Sequence, residues 1–120
     1  MAGIETRDFD SPDERRTPEK TEVAVVRMGN TTAARFTFEP GWKWSECVKP
    51  VAGTDSCHAR HVGVVSSGSI HVVHEDGTEM DLTPGDTYVI EPGHDAWVVG
   101  DEPYVGFEFE SKSAEDYAKG

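Results

Sequence analysis

Between positions 22 and 110 the chain breaks into short runs rich in Val, Phe, Tyr and Thr, each closed within a few residues by Gly, Pro, Asn or Asp. The runs fall at 22–28, 33–39, 42–48, 59–65, 69–75, 78–82, 87–91, 96–99 and 104–110. Short strands at such even spacing predict an all-β sandwich or barrel. Asp76-Gly77 predicts a two-residue hairpin with positive φ at both central positions. Gly29-Asn30 and Pro84-Gly85-Asp86 mark further tight turns. Residues 1–20, with Pro12, Pro18 and many charges but no apolar period, are expected to be an N-terminal arm, draped or partly disordered. Residues 21–120 are then the barrel domain, and Ser111, its early acids and Lys119 predict a short C-terminal helix.

A chain of 120 residues with 36% hydrophobic content buries one modest core, so one domain is expected. No run reaches the roughly 20 apolar residues of a membrane helix. The charged start MAGIETRDFDSPDERR is unlike a secretory signal, so a cytoplasmic location is expected. In that compartment Cys47 and Cys57 are expected to be free, buried or metal-bound, not paired as a disulfide. A net charge of -12 argues against nucleic acid, whose binders need clustered Lys and Arg. From His61 to Ser111 there is no Lys or Arg at all. A cationic ligand or a metal would prefer that half of the chain.

Three stretches carry a resemblance. Glu39-Pro40-Gly41, then His61-Val62-Gly63-Val64-Val65-Ser66-Ser67-Gly68, then the run from Leu82 to His94 with its Pro84-Gly85-Asp86 and Pro92-Gly93, resemble the two motifs of a small single-domain cupin. The resemblance spans about residues 23–109 and implies a double-stranded β-helix, or jelly-roll barrel, whose mouth often holds a metal on three histidines and one glutamate. Here those ligand slots are altered. Counting forward from Gly41, the first-motif histidines fall on Cys47 and Lys49; counting back from Gly68, they fall on Asp55 and Cys57, with His61 in the glutamate slot. The second-motif histidine slot is Ala96, with His94 two residues earlier.

Side chains alternate along a strand, so residues 57, 61, 63 and 65 share a face if their strand is unbroken, as do His94 and Ala96. Cys57, His61, His94 and Cys47 are therefore the candidate metal ligands, with Asp95 or Glu91 as oxygen replacements for Cys47. Two thiolates with two imidazoles suit Zn2+, whereas an oxygen- and nitrogen-rich set, or the family pattern, suits Fe, Mn or Ni. Trp42, Trp44 and Trp97, with Lys43 and Asp95, are the candidate ligand-binding residues at the barrel mouth. Scarcity of basic side chains disfavours a dicarboxylate cosubstrate, which normally needs an Arg fork.

The sequence thus supports a metal-binding cupin with a small-molecule pocket, acting if it is an enzyme as a metal-dependent oxygenase or isomerase. A non-catalytic ligand-binding or sensor cupin, with a structural ion or none, is the alternative. Metal-free acid-base chemistry by His61 or a His94-Asp95 pair is a third reading. A homodimer is expected, because a small barrel leaves strand edges to cover.

Overall fold

The computed structural model describes residues 3–109. Within them the chain forms β1 (Glu14–Arg16), β2 (Thr21–Met28), β3 (Thr31–Phe38), α1 (Trp44–Cys47), α2 (Lys49–Ala52), β4 (His61–Ser67), β5 (Ser69–His74), β6 (Glu79–Leu82), β7 (Thr87–Ile90), β8 (His94–Val99) and β9 (Tyr104–Phe109). Two sheets result, in the orders β1-β2-β3-β9-β4-β7 and β6-β5-β8. All described strand pairings are antiparallel. The helix expected over 111–119 lies outside the described residues. No helix among the described residues is long and apolar enough to cross a membrane.

Alternating apolar side chains from the two sheets meet in one core that includes Val23, Val25, Phe36, Phe38, Ile70, Val72, Ala96 and Val98. Phe38 lies at the centre of an aromatic layer, its ring 3.8 Å from Trp42 and 5.6 Å from Tyr104. The arm follows the outer side of the larger sheet. Phe9 packs on Phe107 with ring centroids 5.4 Å apart, and the Arg35 guanidinium, 5.7 Å above the Phe9 ring, binds Asp10 at 3.2 Å. The arm also supplies β1, an edge strand that its Pro- and charge-rich composition does not announce.

Two expectations are corrected. Residues 42–48 are not a strand: Trp44 to Ala52 winds into two short helices. The cause is tertiary, since the Asp95 side chain on β8 accepts a hydrogen bond from Ser45 N at 3.2 Å, while Pro50 sits in the first turn of α2, where a missing N–H costs nothing. The Asp76-Gly77 turn also differs, because only Gly77 has positive φ. His74 N–H reaches Thr78 O at 2.8 Å, and the Asp76 carboxylate accepts from Thr78 N, so the turn spans more residues than a two-residue hairpin.

Gly63 on β4 is required by packing. A methyl there would lie 2.8 Å from Glu108 Cγ and 2.9 Å from the Tyr88 hydroxyl, as well as against the Phe107 carbonyl. Gly63→Ala should therefore lower the unfolding free energy by about 1–3 kcal/mol, the usual cost of overpacking, as read from urea denaturation. An unchanged midpoint would contradict this packing.

Candidate metal centre

The first histidine is placed by β4. His61 opens that strand opposite Ile90 of β7 and turns inward, with only 6% of its surface exposed. The second opens β8, where His94 and Ala96 share the buried face. Cys57 lies ahead of β4, and it reaches the site by a backbone bridge to His94: Cys57 N donates to His94 O at 2.8 Å and Gly93 N to Cys57 O at 2.7 Å. Cys57 and His61 therefore do not meet through one unbroken strand, because residues 58–60 between them belong to no strand, with His58 and Arg60 exposed.

The three side chains converge. One donor atom from each of Cys57, His61 and His94 lies within 4.8 Å of the other two, and all three residues are buried. Cys57 Sγ is 3.6 Å from His61 Nε2, and the two imidazole centroids are 5.0 Å apart. Both rings are held from behind. His61 Nδ1–H faces the Glu108 carboxylate at 3.0 and 3.1 Å, and His94 Nδ1–H donates to the Glu91 carbonyl at 2.8 Å. Each acceptor fixes the proton on Nδ1 and leaves Nε2 to serve as donor atom for an ion, the arrangement that outer partners give to metal-binding histidines.

Glu108 belongs to a buried chain of polar groups. Its carboxylate also accepts from the Tyr88 hydroxyl at 2.7 Å, and Tyr104 OH donates to Tyr88 OH at 3.4 Å. Burial and the facing carboxylate push both phenols upward, so they stay protonated. Burial opposes protonation of His61, but the negative Glu108 and the hydrogen bonds from Glu108 and Cys57 outweigh it and raise its pKa to about 10. For Cys57, burial opposes ionisation, yet hydrogen bonds and charge from His61 and His94 prevail and lower the thiol to about 6. Without a metal the site thus holds a thiolate beside an imidazolium.

The remaining candidates lie elsewhere. Cys47, on α1, is buried against the core with Sγ 3.6 Å from Glu19, and burial raises its pKa. It does not join the cluster, and both cysteines are free. Asp95 braces α1, and the Glu91 carboxylate is bound to Arg60 at 2.7 Å on the surface, so neither supplies an oxygen to the cluster. The backward count from Gly68 matches the geometry at Cys57 and His61, while its other slot, Asp55, is exposed and pairs with Lys49, the second slot of the forward count, at 3.6 Å.

The expected aromatic pocket is also revised. Trp42 and Trp44 are each 2% exposed and help fill the barrel, whereas Trp97 lies outside, 4.9 Å from the His71 ring and beneath the Lys43 ammonium at 5.3 Å. Beside His61 and His94 the interior keeps a cavity of about 20 Å3, walled by Phe36, Phe38, Trp42 and Trp44. That is room for one water-sized guest. A larger hollow of about 490 Å3 opens between the edge strands β6 and β7, with Val72, Leu82, Tyr88 and Ile90 among its lining. Tyr88 and Ile90 line both spaces.

No family model matches the chain, and no curated protein matches it. Solved structures do. An oxalate decarboxylase from Lactobacillus farciminis superposes with a TM-score of 0.57 at 20% identity, over 82% of this chain and 31% of that one. A sugar phosphate isomerase from a cupin superfamily, from Silicibacter pomeroyi, gives 0.60 at 19% identity, over 88% and 74% of the two chains. A cupin 2 conserved barrel domain protein from Salinispora arenicola gives 0.58 at 12% identity, over 91% and 87%. The chain spans about a third of the length of the decarboxylase. Its described residues share the fold of these structures, a double-stranded β-helix, with a Cys-His-His cluster inside it.

The charge state of Cys57 is directly measurable. In metal-free protein, thiolate absorbance near 240 nm that disappears with Cys57→Ser should titrate with a midpoint near pH 6. A lowered thiol pKa contributes stability that is present above the unfolded value and lost as pH falls through about 6. Glu108→Gln removes the charge that keeps His61 protonated, so it should move the midpoint upward. A thiol titrating above pH 8 in the wild type would contradict the arrangement.

Proposed function

We propose that the protein is a metal-binding cupin that holds one divalent transition metal on Cys57 Sγ, His61 Nε2 and His94 Nε2, and acts on or senses a small molecule. The observation that supports this most is the pairing of three converging donors with an outer hydrogen bond behind each imidazole. A thiolate and two imidazoles suit zinc best, with iron, manganese or nickel as alternatives. Three protein donors, with Cys47 outside the group, match sites that keep a coordination position open for a reacting molecule. When bound, the metal would supply Lewis-acid or oxygen-activating chemistry, the kind on which a metal-dependent isomerase or oxygenase relies.

The residues of the chain prepare that position. Glu108 orients His61 and, with Tyr88, keeps its own carboxylate satisfied in a dry interior. Phe36, Phe38, Trp42 and Trp44 exclude bulk water from the donors. The body of an organic ligand fits the hollow between β6 and β7, whose size suits small-ligand pockets and which shares Tyr88 and Ile90 with the lining of the interior cavity. Among its lining residues no Lys or Arg occurs, so a neutral or cationic compound is favoured over an anionic one.

Metal analysis of protein purified without a histidine tag tests the reading. Close to one equivalent of a transition metal is expected, with loss in Cys57→Ser and in the His61→Ala, His94→Ala double variant. Glu108→Gln should weaken affinity by about 10–100-fold, the usual effect of losing the group that orients a ligating histidine. Because the metal displaces a proton from His61, affinity should rise with pH over the neutral range. Less than a tenth of an equivalent in the wild type, unchanged in the variants, would overturn the proposal. Turnover of a screened substrate that His61→Ala abolishes would separate enzyme from sensor.

A further inference from the structure

Two side chains of β7, Tyr88 and Ile90, line both the interior cavity and the hollow between β6 and β7. Tyr88 is fixed in place. It is buried, its hydroxyl donates to Glu108 at 2.7 Å, and it accepts from the Tyr104 hydroxyl at 3.4 Å. Ile90 has no polar group to anchor it, and it is half-buried at the margin of the core. It stands directly opposite His61 in the β4–β7 ladder, and opposed side chains project from the same face, so Ile90 lies beside the His61 imidazole. Its strand is the last of the larger sheet, with β4 as its one neighbour among the described strands. The aromatic side of the cavity is packed more firmly, with Phe38 stacked on Trp42 at 3.8 Å and on Tyr104 at 5.6 Å.

Resting on the metal reading above, we infer that Ile90 is a specificity-determining residue: its side chain closes the passage from the hollow to Cys57, His61 and His94, and selects by width the part of a hollow-bound compound that meets the ion. The two volumes, about 490 Å3 and about 20 Å3, set the division of the ligand. Its apolar body lies in the hollow against Val72, Met80 and Leu82. Val72 and Met80 are opposed across the β5–β6 ladder, as are Ile70 and Leu82, so Met80 and Leu82 share the core-facing side of β6, and Met80 is 54% exposed. Only a narrow head passes Ile90. The class selected is an apolar compound, uncharged or cationic, with an unbranched head, and compounds that carry a ring or a branch there are excluded. A hydrophobic site discriminates by about 10–200-fold for each methylene it refuses, which is the power such a side chain can exert.

The cysteines report on the passage. Cys57 lies among the donors, and Cys47, buried elsewhere, senses any general loosening. The metal-free full chain is labelled with methyl methanethiosulfonate or its benzyl homologue, and each thiol is followed by peptide mass spectrometry. In the wild type Cys57 should react at least about tenfold faster with the methyl reagent. Ile90→Ala should speed the benzyl reagent at Cys57 by at least about tenfold and leave Cys47 unchanged. Val89→Ala, which alters the exposed neighbour on the same strand, should change neither. In the Co2+-loaded chain, followed by visible absorption, Ile90→Ala should bind imidazole at least about tenfold more tightly than the wild type. If Ile90→Ala does not fold, Ile90→Val should move both readouts in the same direction by less. Equal benzyl rates at Cys57, a Cys47 rate that rises in step with Cys57, or equal imidazole affinity overturns this inference alone. A wild type that takes up no Co2+ overturns the metal reading, and the labelling of the metal-free chain then decides the role of Ile90.

Discussion

The interaction on which the site depends is the contact between the Glu108 carboxylate and the His61 imidazole. Both groups are nearly fully buried, and a carboxylate so far from water is tolerable only when charge and hydrogen bonds compensate it. The His61 ring on one side and the Tyr88 hydroxyl on the other provide that compensation. The three residues come from β4, β7 and β9, which are adjacent in the larger sheet, so the hydrogen bonds tie its strands together across the inner face. The space for them exists because Gly63, paired with Glu108 across the ladder, has no side chain. The same contact that stabilises the sheet interior also determines which nitrogen His61 turns toward Cys57.

Much of this architecture was legible in the sequence, and the parts that were not share a cause. The runs at 22–28, 69–75 and 104–110 lie close to β2, β5 and β9, because β5 and β9 bury alternate residues and β2 is a continuous apolar stretch buried on both faces from Val23 to Val26. Trp42 to Val48 also looks like a strand, with aromatic and valine residues at its ends. It became helical because Asp95, distant in sequence, holds Ser45 N–H, and no local pattern contains that contact. Pro50 was the available local signal, since proline favours the first turn of a helix.

The candidate site divides in the same way. His61 and His94 could be found from their positions at motif-like strand starts, and Cys57 from its spacing to Gly68. Strand parity joins Cys57 to His61, whereas the geometry joins Cys57 to His94 through a backbone bridge between a loop and β8. In sequence Glu108 is one acid among many in a strongly acidic half. Its parity carried the information: in β9, residues 104, 106 and 108 fall on the buried side, and a glutamate at an inward position needs a partner. Cys47 misled for the opposite reason, because the helix turns it into the apolar core, where a thiol packs as a small hydrophobe.

Charge balance links these groups to the kind of ion the interior can accept. Without metal, the Cys57 thiolate, the His61 imidazolium and the Glu108 carboxylate carry one net negative charge. Occupation by a divalent cation requires the loss of one proton from His61 Nε2, after which thiolate, carboxylate, neutral imidazole and ion sum to zero. A monovalent ion would leave the buried set negative and a trivalent ion would leave it positive, each at the cost of burying an unbalanced charge. The donor set alone leaves several transition metals open, and the balance of charge around it favours a divalent ion.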